Sequence, residues 1–136
     1  MSWRRVKRIV ADDLFSKYIR ARDNFTCRRC CRYFENGIGL DNSHYWSRGK
    51  WTTRFDPDNC DALCRSCHEY CGSDGRDLWY TPFKKTQLGE QGYQALMVRA
   101  PQTGKKDEVL ARLYVRGLIR ELEKEQGMKS DGTPIN

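Results

Sequence analysis

Four cysteines stand as two C-x-x-C pairs, Cys27/Cys30 and Cys64/Cys67, and the chain's only two histidines fall around the second pair: His44 before it, His68 directly after it. A C-x-x-C turn presents two thiolates, and zinc takes four in a tetrahedron at about 2.3 Å. The spacing therefore predicts a structural zinc held by Cys27, Cys30, Cys64 and Cys67. The alternative is two unrelated pairs, one of them redox-active, but the βαβ pattern of a thioredoxin-like site is missing. Cys31, Cys60 and Cys71 are left over. Cys71 lies at ligand-like spacing from Cys67, so the quartet could be drawn differently; otherwise the three read as buried free thiols. A metal that joins such distant segments would supply much of the folding free energy, since structural zinc sites in peptides bind with apparent free energies of about 10–16 kcal/mol.

His44 sits in "DNSHYWSRGKW", beside Tyr45, Trp46 and Trp51. An unperturbed imidazole titrates near pH 6.5, so it can accept a proton at neutral pH. Among aromatics it can equally be a packed ring. What separates these readings is the order along the chain: C-x-x-C, His44, Asn59, C-x-x-C, His68. The stretch "HYWSRGKWTTRFDPDNCDALCRSCH" resembles the HNH endonucleases, whose active site is a ββα-metal element. Within them it is most similar to the phage NinG-like recombination endonucleases, which combine a His followed by an aromatic and Ser-Arg, an Arg-Phe-Asp before the Asn, and a final C-x-x-C. The likeness is best over residues 12–71 and weaker over "FKKTQLGEQGYQALMVRA".

The resemblance implies a metal-dependent DNA endonuclease that leaves 5′-phosphate and 3′-hydroxyl ends. It implies a role in phage recombination on branched or replicating DNA. His44 would be the general base, Asn59 would brace the loop that orients it, and His68 would hold a catalytic Mg²⁺ or Mn²⁺. Neighbouring residues on a helix point about 100° apart, so Cys67 can face the zinc while His68 faces the active site. Many family members carry Asp or His immediately before the base, as a second metal ligand. Here that residue is Ser43, a poor Mg²⁺ ligand beside a carboxylate. Asp41, on the same strand face as Ser43, is the candidate substitute, directly or through water; a surface turn acid is the alternative. Arg48, Lys50 and Arg54 lie between the base and Asn59, placed to hold phosphates or simply solvated. Trp46 and Trp51 read as packing residues.

The elements that must position these residues follow from periodicity. "DDLFSKYIRARDNF" predicts a helix with Leu14, Phe15, Tyr18 and Ile19 on its core face, Asp12 or Asp13 as its cap, and Lys17, Arg20 and Arg22 on a solvated face. "YFENGIGL" suits a small hairpin or turn, "DNSHYWS" a short strand, and "RGKWTTRFDPDN" a loop. "CDALCRSCHEYC" reads as the start of a helix that Asp61 could cap. Thr81-Pro82 opens a helix to about Leu88, with a second short helix over residues 90–99. From Asp107 onward, Val109, Leu110, Leu113, Tyr114, Gly117, Leu118 and Leu122 mark one face of a long amphipathic helix, for packing internally or between subunits. The expected fold is α+β: a ββα-metal core stapled by zinc over residues 27–76, a basic helical segment over 1–26, a helical region over 77–126, and a disordered tail over 127–136.

Charge narrows the partners. The formal net charge is +7. Residues 1–32 carry ten Lys/Arg against three acids, so all of it lies there. A basic end on a neutral body suits DNA, branched DNA included, or a solubilising terminus. No run approaches the roughly 18 apolar residues of a membrane span, and "MSWRRVKRIV" lacks the apolar run of a signal peptide. The expected setting is therefore a reducing cytoplasm, that of a phage host, where cysteines bind metal sooner than they pair. A non-catalytic zinc-dependent DNA-binding module would explain the cysteines and the basic end, but not the His–Asn–His order. Self-association through the last helix, as a homodimer, is compatible with either reading.

Overall fold

The structure, a computed structural model, describes residues 6–127. The expected tail lies outside that range except for Gly127. Helix α1 (Val10–Arg22) begins before the predicted start because Asp12 acts from inside the first turn: its carboxylate accepts the Ile9 amide at 2.9 Å. Ala11, Phe15, Tyr18 and Ile19 face the core.

Strands β1 (Leu40–His44) and β2 (Cys60–Cys64) pair antiparallel, in register from Leu40↔Cys64 to His44↔Cys60. Helix α3 (Arg65–Cys71) follows β2 without a loop. Here the sequence reading is corrected: residues 60–64 are a strand, and Asp61 caps nothing. All five residues of β2 are buried, so the strand shows no alternation to reveal it. Asp61 is fully buried, accepting from Tyr80 Oη and Gln87 Nε2 at 2.9 Å each and pairing with the Lys84 ammonium at 2.7 Å.

The connection between the strands contains a short helix α2 (Trp51–Arg54) and a 3₁₀ turn, Pro57–Asn59. Beyond α3, a π-helical turn (Arg76–Tyr80) leads into α4 (Thr81–Arg99). Helix α4 breaks at Gly89 (φ +72°, ψ 171°), where the sequence predicts a boundary between two helices. Thr81 is not a cap; its hydroxyl is 2.7 Å from Tyr45 Oη.

Helix α5 (Glu108–Gln126) is capped by Asp107, which accepts the Leu110 amide at 3.0 Å, and ends on left-handed Gly127. It packs on α1. The face it buries is Ala111, Val115, Ile119 and Leu122; of the predicted stripe Leu122 is buried and Leu118 half-buried against the core, whereas Val109, Leu110, Leu113 and Tyr114 are exposed. The helix carries two apolar faces. The buried one, with Ala111 and Val115, faces the core that α1 also lines.

Candidate active site

The four predicted zinc ligands converge. The sulfurs of Cys27, Cys30, Cys64 and Cys67 all lie within 4.8 Å of one another. Cys30 and Cys64 are 3.8 Å apart, and a tetrahedron with zinc–sulfur bonds of about 2.3 Å has edges of about 3.8 Å. Local structure explains the convergence. The Cys27–Cys30 turn is closed by the Cys31 amide on the Cys27 carbonyl (2.9 Å) and docks on β2 through the Arg28 amide on the Ala62 carbonyl (2.9 Å). Cys64 ends β2 and Cys67 lies in the first turn of α3. Burial acts to raise the Cys64 thiol, but hydrogen bonds from Ser66, Cys67 and Cys30 outweigh it and bring it to about 6. Burial, with the sulfurs of Cys64 and Cys27, pushes Cys67 to about 12. Four thiolates so close need a cation, and the donor set fits zinc. Cys60 and Cys71 are buried, their thiols raised by burial. Cys31 departs from the expectation: it is exposed, at φ +63°.

On the other side of α3 lies a cleft of about 590 Å³ that holds both histidines. His44 ends β1 and His68 projects from α3. His68 Nδ1 is 3.0 Å from Asp41 Oδ2, and Arg65 Nε is 3.3 Å from the same oxygen. With Nδ1 donating to the carboxylate, His68 Nε2 keeps its lone pair. Ser43 is buried and does not line the cleft, whereas Asp41 and Asn42 do. Asn42 Oδ1 is buried with no hydrogen-bond partner among the described residues. By type, the imidazole of His68, the carboxylate of Asp41 and the amide oxygen of Asn42, all lining this cleft, are donors that a hard divalent cation accepts. Asn42 was missed by the sequence reading, although its position two before His44 puts it on the same strand face.

The loop from residue 45 to 58 is built to hold His44. Asn59 is fully buried; its Oδ1 accepts the Trp46 amide at 2.8 Å, and its Nδ2 donates to the Trp46 and Thr53 carbonyls at 3.0 Å each. His44 Nε2 is 3.0 Å from the Arg54 carbonyl. A carbonyl only accepts, so Nε2 carries the proton and Nδ1 is the basic atom. Burial lowers the His44 pKa to about 4, the hydrogen bond to Arg54 opposing it in part. The ring is thus neutral at physiological pH.

The three loop cations separate. Arg48 lines the cleft, with one guanidinium nitrogen 2.8 Å from the Val6 carbonyl. Lys50 is exposed just before α2 and lies outside the cleft. Arg54 corrects the expectation of a phosphate-holding side chain: it is 5% exposed and paired with Asp12 at 2.6 Å and 3.0 Å. Its buried guanidinium anchors the loop to α1 while its carbonyl holds the base. Trp46 and Trp51 are half-buried and pack edge-on against Tyr45 and Phe55. The opposite wall of the cleft is α1, through Asp12, Ser16 and Arg20, with Arg8 preceding it. None of these had been singled out as site residues. On a lone sequence a basic helix face looks the same whether it meets water or walls a cleft.

Over 70 residues the chain is 34% identical to a protein named probable HNH endonuclease from Lactococcus phage SK1, a match spanning 46% of this chain and 74% of that protein. The chain belongs to the HNH endonuclease family. No family model matches it, and neither does any solved structure. Membership of the HNH family gives the pairing of two histidines beside a sulfur cluster a context that geometry alone lacks. None of the described helices is long and apolar enough to cross a membrane.

Proposed function

We propose that this HNH protein is a metal-dependent DNA endonuclease that hydrolyses phosphodiester bonds in the cleft between α1, β1 and α3. The observation that carries the reading is the meeting of His44 and His68 in one cleft, each with its tautomer set by a partner: the Arg54 carbonyl for His44, the Asp41 carboxylate for His68. His44 Nδ1 takes the proton of a water whose oxygen attacks phosphorus. The bond from phosphorus to the 3′ oxygen breaks and that oxygen takes a proton from solvent, leaving 5′-phosphate and 3′-hydroxyl ends. His68 Nε2 is the ligand for a divalent ion, Mg²⁺ or Mn²⁺, with Asp41 orienting the ring as a carboxylate behind a ligating histidine commonly does. Such an ion, when bound, supplies Lewis-acid stabilisation of charge on the phosphate and leaving oxygen. Asn59 acts on the base only through the loop it braces. Zinc at the four cysteines is structural.

The reading is tested by incubating the protein with supercoiled plasmid and with a four-way junction, with Mg²⁺, Mn²⁺ or chelator, beside His44→Ala. Nicking by the wild type, dependent on the added metal and lost by about 10²–10⁴ in the variant, is expected. Equal nicking by the variant removes His44 from the mechanism. Binding without cutting under every metal favours the DNA-binding module instead. Preference for the junction supports the recombination role in a phage-infected cell; equal use of plain duplex removes branch specificity. The exposed Val109, Leu110, Leu113 and Tyr114 are the face on which a homodimer would form, and sedimentation of wild type beside Leu113→Glu tests it.

A further inference from the structure

Resting on the nuclease reading, the geometry points to a phosphate-binding subsite on α1, in which Arg20 holds the nucleic-acid backbone at a phosphate flanking the scissile one. Asp12, Ser16 and Arg20 stand four residues apart along a single line of the helix, all facing the cleft that holds His44 and His68. Their charges are not equivalent. Asp12 is committed to Arg54. Arg20 has no carboxylate within ion-pair distance among the described residues. Its guanidinium is bonded to the Ser16 hydroxyl at 2.5 Å.

Its side chain is also fixed from the other side. Gly37, at φ +73°, lies so close that a Cβ there would come within 3.0 Å of Arg20 Cδ and Nε. The arginine stem is therefore clamped between Gly37, in a second 3₁₀ turn (Glu35–Gly37) before β1, and Ser16 of α1, at the wall of the cleft. Burial, then the charge of Arg8, lowers the Arg20 pKa, with the Asp41 and Asp13 carboxylates acting against them in part. Arg8 is paired with Asp13, whereas Arg20 feels the carboxylates of Asp41 and Asp13 only from beyond ion-pair distance; a guanidinium so placed at the wall of an open cleft can take an anion. Along a DNA strand the available anion is a backbone phosphate, which carries no base identity. The subsite thus positions DNA without reading its sequence.

The test is equilibrium binding of fluorescein-labelled 20-bp duplexes of two unrelated sequences, at several salt concentrations and fixed Mg²⁺, in a His44→Ala background that removes cutting. Arg20→Gln is expected to weaken binding about tenfold on both sequences and to reduce the slope of log K against log salt by about 0.9, the value of one duplex phosphate contact. Arg116→Gln, an exposed change on α5, is the control for net charge. Arg20→Lys is expected to recover the slope but not the full affinity, because the ammonium lacks the planar fork. Restored to a His44 background, Arg20→Gln should raise KM and leave kcat within a few-fold. Thermal melting is followed for each variant, and an Arg20→Gln that unfolds is replaced by Ser16→Ala, which frees the guanidinium and is expected to weaken binding less. Binding and slope equal to those of Arg116→Gln overturn the proposal, as does a loss of kcat with unchanged binding. Because binding is measured without cutting, the subsite can fail while nicking persists, and nicking can fail while the subsite still holds DNA.

Discussion

Cys67 and His68 are neighbours in one turn of α3, yet they face regions of opposite character. On the cysteine side, four sulfurs lie within 4.8 Å of each other, three of the four residues buried, and the groups around them hold the knuckle to the sheet. On the histidine side, the cleft is open, polar and lined with arginines that are only partly neutralised. The first region has every donor directed inward; the second leaves His44 Nδ1, His68 Nε2 and Arg20 with capacity to spare. A closed site is where binding free energy becomes folding free energy. An open site keeps ligand positions for solvent and substrate. The contrast predicts that damage to the first region unfolds the chain and damage to the second changes mainly rate or affinity.

The largest effect tests the closed side. Cys64→Ser removes a thiolate that ends β2 and begins α3, and with it the staple between two segments 34 residues apart. Against the roughly 10–16 kcal/mol of a structural zinc peptide site, few domains of this size have stability to spare. The expected result is loss of the cooperative melting transition and of stoichiometric zinc in the purified protein. A well-folded, zinc-free variant would refute the structural role of the cluster.

A residue on the seam sharpens the contrast. Asp12 lines the cleft but is buried, and its carboxylate is held below the usual range: burial works to raise it, but Arg54 and the Ile9 amide overcome that effect. Asp12→Ala leaves the Arg54 guanidinium buried and unpaired, which costs about 3–5 kcal/mol. The same arginine's carbonyl holds His44, so the nicking rate should fall as well. The double variant Asp12→Ala/Arg54→Met should recover part of the stability, since an apolar pair leaves no charge uncompensated. If Asp12→Ala melts like the wild type, the Asp12–Arg54 pair does not hold the fold and the two regions divide without a structural seam.

His44→Ala acts mainly on the open side, because the ring lines the cleft. It is expected to lower the nicking rate by about 10²–10⁴ while the protein keeps its zinc and a cooperative melt, lowered only by the loss of about 1–3 kcal/mol from the unpaired Arg54 carbonyl. A larger loss of stability would make His44 a packed ring whose loss acts through the fold.

The same division decides what could be read from the sequence. The cysteine quartet was legible because metal coordination imposes a spacing that few other constraints produce. The order His44–Asn59–His68 was legible for a related reason: each of the three must occupy a set place in a short strand–loop–strand–helix segment. Strand β2 was not legible, because burial on both faces erases its alternation and Asp61 at its second position imitates a helix cap. Arg54 looked like a phosphate ligand because a sequence does not show that Asp12, 42 residues away, neutralises it. Arg20 and Ser16 were passed over for the converse reason: a polar helix face becomes a cleft wall only once β1 and α3 stand opposite it. On α5, two apolar faces compete in one helix, and the first two turns of the predicted stripe, from Val109 to Tyr114, are left exposed while Leu122 is buried.

The smallest predicted effect concerns pH and joins the two regions through one ring. The His44 pKa is about 4 in the folded protein, against an unperturbed 6.5, with burial as the main cause. Between these values the unfolded chain binds more protons at this position than the native state does. Stability from this residue is therefore complete above about pH 6.5 and declines as pH falls toward 4. For a shift of this size the loss between pH 7 and 5.5 is about 1 kcal/mol. Measured by denaturant melts at both pH values, it should be present in the wild type and absent in His44→Gln, which cannot titrate. The base stays deprotonated over the same interval, so kcat/KM for nicking should not fall with an apparent pKa near 6.5 as pH is lowered. An acid limb at 6.5, together with equal pH dependence of stability in wild type and His44→Gln, would place the ring in solvent and remove it from the buried hydrogen bond to Arg54.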